Sequence, residues 1–194
     1  MTLEDLLTSR DERVFHQQEL LTKYHNRCLI CLTVQLPGPV KRNELSLTVA
    51  GAGVEAVRKA FAIEYEETRD LETGFEGFFI VDMPPMEAKR MACHIEDTHP
   101  LGRLLDIDVV VFAGAASRLR RYSAAAERGW TSPGPDGCPE LQEVSPLGRE
   151  ELGLPPRKCL LCENEARVCM RARTHTTEEL LAKIEEMVNN YINL

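Results

Sequence analysis

The sequence feature that most constrains the fold is the run DIDVVVF at residues 106–112. Its apolar part is continuous and rich in β-branched side chains, which predicts a strand in the centre of a sheet. A second short apolar run, CLICLTVQL at residues 28–36, predicts another buried strand. Residues 63–69 and 75–82 are expected to form a hairpin whose turn contains Gly74.

Four helices are expected around these strands. They are a first helix signalled by the capping-box spacing of Ser9 and Glu12, a second over residues 43–62, a third that begins near Pro84 and Pro85 and ends before His99, and a last one that begins at Thr176 or Thr177. The mixture of helices and strands predicts a single domain over residues 1–194, of α/β or α+β class. We expect a mixed β-sheet flanked by helices.

Residues 113–140 break this pattern. Ala, Gly, Ser and Pro dominate the segment, and its part TSPGPDGCP has no hydrophobic periodicity. Such a composition predicts a long flexible insertion in the domain, before the C-terminal helical segment. A connection of this length is unusual inside a compact domain.

Composition narrows the functional classes. With 43% hydrophobic and 28% charged residues the chain is ordinary for a soluble globular protein, and its acidic start lacks the pattern of a secretory signal, so we expect a cytoplasmic protein without membrane contact. Seven cysteines then fit free thiols or metal ligands. A net charge of −8 argues against a general nucleic-acid binder but not against an anionic cofactor. The phosphate-loop, dinucleotide-binding and nucleophile-elbow motifs are absent from the sequence.

The sharpest candidate site is the segment HPLGRLLDID at residues 99–108. Side chains alternate along a strand, so Asp106 and Asp108 are expected to share one face, with ~6.6 Å of rise between them. Adjacent carboxylates repel unless a cation lies between them, and Mg²⁺ is the natural counter-charge. Arg103 and free backbone N–H groups near Gly102 are expected to meet phosphate oxygens. The alternative is a strand end with two solvated acids and an arginine partner.

A second candidate site combines three cysteines and a histidine. Cys159, Cys162, Cys169 and His175 supply a complete tetrahedral ligand set for a structural Zn²⁺. The competing interpretation is that positions 159, 162, 166 and 169 follow one face of a helix that starts near Leu160, which would make the cysteines small core residues. We favour the helical interpretation on spacing alone.

Basic residues outside these sites are candidate phosphate ligands. Arg157 follows the stiff Leu154-Pro155-Pro156 turn, which would hold its direction. Lys41 lies just beyond the first strand, and Arg171 follows Cys169 by two residues. We expect Lys41, Arg157, Gly102 and Arg171 to contribute to cofactor binding.

Taken together, these blocks resemble the citrate lyase holo-acyl carrier protein synthases, also called apo-citrate lyase phosphoribosyl-dephospho-CoA transferases. The resemblance covers most of the chain in the right order. Its blocks are Leu6-Leu7 with Ser9-Arg10-Asp11-Glu12-Arg13, Pro37-Gly38-Pro39-Val40-Lys41, His99 to Leu104 running into Asp106-Ile107-Asp108-Val109, and Leu152 to Cys162 continuing through Ala166, Cys169, Arg171 and His175.

The resemblance implies a defined reaction. A serine of the apo acyl carrier protein of citrate lyase would attack the ribose-linked phosphate of 2′-(5″-triphosphoribosyl)-3′-dephospho-CoA, and diphosphate would leave. The chemistry then implies Mg²⁺ on Asp106 and Asp108, one of which also helps to deprotonate the serine. Arg103 would neutralise the triphosphate together with the basic residues named above, and His99 would orient it.

The insertion departs from the family pattern and leaves two interpretations of its arginines, Arg118, Arg120, Arg121 and Arg128. They form either an extra contact for an acidic carrier protein or part of a disordered segment. Two further functions stay open on the sequence. One is a nucleotidyltransferase of the same chemistry acting on another carrier protein, and the other is a non-enzymatic, zinc-stabilised binding module.

Overall fold

A computed structural model describes residues 2–112 and 143–194. Short 3-10 helices at Gly102–Leu104 and Arg149–Leu152 supplement the regular elements. Those elements are, in chain order, α1 (Leu3–Lys23), β1 (Cys28–Val34), α2 (Glu44–Ala60), β2 (Ile63–Leu71), β3 (Gly74–Val81), α3 (Pro85–Thr98), β4 (Leu105–Phe112), β5 (Val144–Pro146), α4 (Ala166–Ala172) and α5 (Thr177–Ile192).

The strands form one sheet in the order β2-β3-β1-β4-β5. Every pairing among the described strands is antiparallel, which corrects the mixed sheet expected from the sequence. The expected combination of a sheet with flanking helices is confirmed, as are the β2–β3 hairpin and both buried strands.

The two faces of the sheet carry separate cores. Alternate residues of β1, Cys28, Ile30 and Leu32, pack in the larger core with side chains from α2, α3 and α5. Leu29 and Cys31 face the other way and pack in the smaller core, to which α1 contributes Leu20 and Leu21. The fold is therefore a sheet covered by helices on both sides.

The helices α1, α2 and α5 begin at side-chain caps. Thr2 and Asp5 form the capping box of α1, so the helix begins earlier than the predicted Ser9 start. Ser9 lies inside α1, and its hydroxyl is 2.8 Å from that of Thr73 in the hairpin turn. The predicted capping box of Thr176 and Glu179 is confirmed at the start of α5.

Within residues 2–112 and 143–194 the outer edge of β4 is only partly paired, because β5 aligns with no more than its last three residues. Side chains form hydrogen bonds to backbone N–H and C=O groups on the rest of this edge. The N–H of Ile107 donates to Glu96 Oε1 at 2.9 Å, and Lys89 Nζ donates to its carbonyl at 3.2 Å. A guanidinium N–H of Arg157 donates to the carbonyl of Leu105. Charged side chains thus surround the strand that carries the predicted carboxylates.

No helix among residues 2–112 and 143–194 is both long and apolar enough to span a bilayer. The predicted insertion at residues 113–140, with its four arginines, lies outside the described residues.

Candidate functional site

Asp106 and Asp108 lie on one face of β4, as the strand periodicity predicts. The buried residues Leu105, Ile107 and Val109 alternate with them and point into the larger core. Across the sheet Asp106 pairs with Thr33 of β1, and Asp108 pairs with Cys31. Both carboxylates remain partly accessible, with 36% and 39% of the side chain exposed, so a ligand can reach them.

The surroundings of Asp108 disfavour its charged form. Desolvation and the neighbouring charge of Asp106 raise the pKa of Asp108 to about 6. Lys89 Nζ, almost fully buried, lies 3.6 Å from Asp108 Oδ1 and offsets only part of this effect. A group with this pKa can exchange a proton near neutral pH.

Glu96 organises the cations beside this pair. Its side chain is 3% exposed, and burial raises its pKa although Arg157 and the Ile107 N–H oppose the shift. Arg149 Nη1 lies 3.2 Å from Glu96 Oε2, and Arg157 Nη2 lies 3.4 Å from Oε1. The sequence analysis missed both Glu96 and Lys89. Their i, i+7 spacing on α3, which puts them on one helical face, was the available signal.

Arg157 joins this network to the carboxylates. Its Nη1 lies 3.5 Å from Asp106 Oδ1, while Nη2 donates to the carbonyl of Leu105. Arg103, by contrast, donates to the carbonyls of Lys158 and Cys159, at 2.8 Å in the second case. The structure therefore puts Arg157 at the carboxylates and uses Arg103 to fasten the segment that follows Arg157.

Gly102 serves close packing. A Cβ at this position would lie 2.5 Å from the carbonyl oxygen of Ile95 and 2.6 Å from that of Glu96. Its N–H donates to the carbonyl of His99 at 2.8 Å, so it is not the free phosphate donor that we expected.

His99 accepts from the N–H of Leu101 through Nδ1 and its ring contacts Tyr191, at a centroid distance of 5.5 Å. Burial, and to a lesser degree Lys59, lowers the pKa of His99.

Lys41 and Arg171 lie apart from this network. Lys41 Nζ donates to the carbonyl of Leu36, and burial lowers its pKa. Arg171 is exposed on α4, where it forms no ion pair with the described residues. Their predicted roles in cofactor binding stay predictions.

The cysteines and histidine of the second candidate site converge. One ligand atom from each of Cys159, Cys162, Cys169 and His175 lies within 4.8 Å of all the others. Cys162 Sγ is 3.5 Å from Cys169 Sγ and 3.4 Å from His175 Nε2. This cluster, a Cys3His set, is an arrangement that could hold a metal ion.

The convergence overturns the helical interpretation that we favoured. Cys159 and Cys162 lie in a turn, and helix α4 begins only at Ala166. The turn is closed by the N–H of Cys159, which donates to the carbonyl of Asn164 at 2.6 Å. Although desolvation opposes ionisation of Cys159, N–H groups of Leu161 and Cys162 and the neighbouring thiols lower its pKa to about 7. The backbone therefore favours a thiolate there, the form that binds metals.

These features define a small α/β domain in which paired carboxylates and a candidate metal centre are connected through Arg157. The chain belongs to the apo-citrate lyase phosphoribosyl-dephospho-CoA transferase family, whose model matches residues 1–128 and 140–191. The match leaves out residues 129–139, which fall inside the predicted insertion. The family resemblance inferred from the sequence is thus confirmed.

Relatives agree over nearly the full chain. The apo-citrate lyase phosphoribosyl-dephospho-CoA transferases of Shigella boydii serotype 18 and Escherichia coli O157:H7 are each 33% identical over 195 residues, covering 98% of this chain and 90% of the relative. A protein of Streptococcus pyogenes serotype M18, named "Probable apo-citrate lyase phosphoribosyl-dephospho-CoA transferase", is 31% identical over 194 residues, 98% of this chain and 87% of its own. The predicted class of enzyme, a transferase, agrees with these names.

Proposed function

We propose that this chain transfers a phosphoribosyl-dephospho-CoA group to the apo acyl carrier protein of citrate lyase. The donor is 2′-(5″-triphosphoribosyl)-3′-dephospho-CoA. A serine oxygen of the carrier bonds to the phosphorus nearest the ribose, and the bond from that phosphorus to the diphosphate breaks. The serine proton passes to a base, so the products are a phosphodiester and diphosphate. None of the six cysteines in the described part forms a disulfide, which suits reaction in the reducing cytoplasm.

The observation that supports this proposal most is the pair of accessible carboxylates on β4, one of which, Asp106, lies 3.5 Å from Arg157 Nη1. Phosphoryl transfer to a hydroxyl needs positioned charge rather than covalent catalysis, because negative charge spreads over the transferring and leaving groups. The Arg157 guanidinium, 21% exposed, is partly desolvated, so its bonds to phosphate oxygens would be stronger than on an open surface.

The carboxylate pair fits Mg²⁺. Asp106 and Asp108 offer hard oxygen ligands on one face, and the charge of Asp106 is, after desolvation, a cause of the raised pKa of Asp108. Mg²⁺ bound there would neutralise charge on the phosphates. One of the two carboxylates is also proposed to help take the serine proton.

Roles for the remaining predicted ligands follow their positions. Lys41 is proposed to meet the outer phosphates, since its partly buried ammonium donates to a neutral carbonyl and forms no ion pair with the residues that the structure describes. Arg103 and Gly102 are proposed to support the site by fixing the segments on either side of it. His99 is proposed to act in the same supporting way, through the N–H of Leu101.

The Cys3His cluster is proposed to bind one structural Zn²⁺. A tetrahedral centre with bonds of ~2.3 Å separates its ligand atoms by roughly 3.8 Å. The distances of 3.4 and 3.5 Å from Cys162 are close to that value. Four protein ligands would close the coordination sphere, which is typical of a structural rather than a catalytic zinc site.

The proposal is tested by a mass measurement. Purified protein, apo acyl carrier protein and the triphosphoribosyl donor are incubated with and without Mg²⁺, and the intact carrier is weighed by mass spectrometry. We expect the carrier to gain one phosphoribosyl-dephospho-CoA group only when Mg²⁺ is present, and diphosphate to appear in equal amount. A carrier whose serine is replaced by alanine is the matched control. An unchanged wild-type carrier would refute the proposed function.

A further inference from the structure

Helix α4 presents an exposed face that the chemistry above does not use. This α4 surface consists of Arg167, Val168, Met170 and Arg171. Val168 is 53% exposed and Met170 is 71% exposed, which is a high fraction for apolar side chains on a short ordered helix. Only Cys169 of this helix is buried, and it turns inward to the Cys3His cluster. Because 100° separates successive helical residues, Arg167 and Arg171 point away from that cluster, flanked by Val168 and Met170.

The charges on this surface are unfavourable for an isolated helix. Arg167 and Arg171 are four residues apart, and like charges at this spacing destabilise a helix. Neither arginine forms an ion pair with any residue in the described ranges. The chain as a whole carries a net charge of −8. A basic spot with exposed apolar flanks on an acidic protein is therefore a candidate docking surface.

The position of α4 links this surface to the proposed active site. The N–H of Ala166, the first residue of α4, donates to the carbonyl of Arg157 at 2.8 Å. The side chain of Arg157 lies 3.5 Å from Asp106. The other end of the helix is held by Cys169 and by the Thr174 N–H, which donates to the Cys169 carbonyl at 3.1 Å. Helix α4 is thus anchored to the residue whose side chain contacts Asp106.

We propose that the α4 surface docks the acyl carrier protein, by pairing its arginines with acidic side chains and its Val168 and Met170 with an apolar patch of the carrier. This inference rests on the proposed function and names the contact through which the carrier approaches. Phosphate groups of the donor would have no use for the apolar flanks, and nucleic acid would be repelled by the overall charge. Arg171 accordingly belongs to carrier docking and not to the donor phosphates.

The test compares two Michaelis constants. In the Arg167→Glu/Arg171→Glu variant, charge reversal should raise the KM for the apo carrier at least about tenfold, because like charges across an interface are strongly disfavoured. The KM for the triphosphoribosyl donor and kcat at saturating carrier should not change. The increase should shrink as salt rises from 0.05 to 0.5 M, since exposed charges are screened over ~10 Å at 0.1 M. Met170→Ala should also raise the carrier KM, but equally at all salt concentrations.

A control and a binding measurement make the outcomes separable. Arg90→Glu changes the charge at an exposed position on α3 and should leave both constants unchanged. Carrier binding is also measured by fluorescence anisotropy of labelled apo carrier, which needs no turnover. If the wild type transfers the group but the double variant keeps the wild-type carrier KM, the docking proposal is wrong. A higher donor KM would return Arg171 to the phosphates. If the wild type binds the carrier but does not transfer the group, the proposed function is wrong and the docking proposal is still supported. If the wild type and the double variant bind the carrier equally well, the docking proposal is wrong.

Discussion

Arg157 Nη1 lies 3.5 Å from Oδ1 of Asp106, and the same guanidinium donates through Nη2 to the carbonyl of Leu105. One side chain therefore contacts a proposed metal ligand and closes a backbone gap beside it. Glu96 holds this arrangement from behind, with its Oε1 3.4 Å from Nη2. Loss of Arg157 should consequently affect catalysis and the local structure together, in a way that Lys can only partly repair.

Arg157→Ala should lower kcat by about 10²–10³-fold, the usual effect of removing one preorganised donor from a site of developing negative charge. Arg157→Lys should restore only a minor part of the lost kcat. The planar guanidinium contacts Asp106, Leu105 and Glu96 at once, which a single ammonium group cannot do. Steady-state kinetics of the carrier mass shift provides the measurement. Arg103→Ala is the matched comparison and should reduce thermal stability more than kcat, because Arg103 holds backbone carbonyls. Equal losses of kcat in both alanine variants would contradict the assignment.

Asp106→Asn and Asp108→Asn should each lower transfer by roughly 10³-fold while the fold is kept, since a metal ion contributes several kcal/mol of transition-state stabilisation. Both positions are partly exposed, so the amide is accommodated without repacking. Circular dichroism and melting curves check the fold, and titration calorimetry with Mg²⁺ checks binding. Near-normal turnover in two well-folded variants would remove the metal from the carboxylate pair.

Purified protein should contain about one zinc per chain, measured by elemental mass spectrometry. Chelation should lower the melting temperature by an amount on the order of 10 °C, since bound metal stabilises only the folded state. Cys162→Ser should lose the metal. Cys93→Ala changes a buried thiol in α3, outside the cluster, and should retain it. Metal content at background level in protein expressed with added zinc would rule out the site.

Two glycines should respond in opposite ways to alanine. Gly102→Ala brings a Cβ to 2.5 Å from a carbonyl oxygen of α3, and overpacking of this kind costs about 1–3 kcal/mol. Gly51 is exposed within α2, and a Cβ there meets no atom within 4 Å. Gly51→Ala should therefore stabilise the protein by about 0.5–1 kcal/mol. Urea unfolding measures both changes, and a neutral Gly102→Ala would mean that α3 yields more easily than its contacts indicate.

Glu76 gives stability a pH dependence of predictable sign. Burial raises its pKa, although Arg13, with Nη1 3.2 Å from Oε1, opposes the shift. A carboxyl group with a raised folded-state pKa stabilises the fold below its unfolded pKa, and this contribution is lost as pH rises through the folded value. Wild type should therefore lose free energy of unfolding from Glu76 as the pH rises from 4 to 7, whereas Gln at this position does not titrate. The free energy of unfolding of Glu76→Gln, relative to that of wild type, should be larger at pH 7 than at pH 4. Denaturant titrations of both proteins at these two pH values measure this difference. If the difference were smaller at pH 7 than at pH 4, the pKa of Glu76 would be lowered and not raised in the folded state.

Much of the fold was predictable because the strands and their covering helices have strong local patterns. The runs at residues 28–36 and 106–112 are apolar beyond what a surface loop would tolerate, and β1 and β4 occupy them. The alternation of Asp106 and Asp108 with buried neighbours follows from strand geometry alone. The start of α1 was misplaced because Ser9 and Glu12 reproduce a capping-box spacing inside a helix that is already capped at Thr2.

The cation network was not predictable from local patterns. Glu96 and Lys89 look like the polar side of α3, and only their contact with the unpaired edge of β4 makes them buried. The choice between zinc ligands and a helical stripe also needed tertiary information. Spacing is the same in both cases, and the turn between Cys159 and Asn164, closed by a backbone hydrogen bond, excludes the helical stripe.

The incomplete pairing of β4 has a consequence for colloidal behaviour. An exposed strand edge with free N–H and C=O groups is a template on which a second molecule can add a strand and begin to aggregate. Here the side chains of Glu96, Lys89 and Arg157 form hydrogen bonds with those backbone groups. The N–H of Leu147 donates to the carbonyl of Val109 at 2.9 Å. The charged residues beside the carboxylates thus also act as a guard against intermolecular sheet growth. Variants that remove these charged side chains should aggregate faster on storage as well as turn over more slowly.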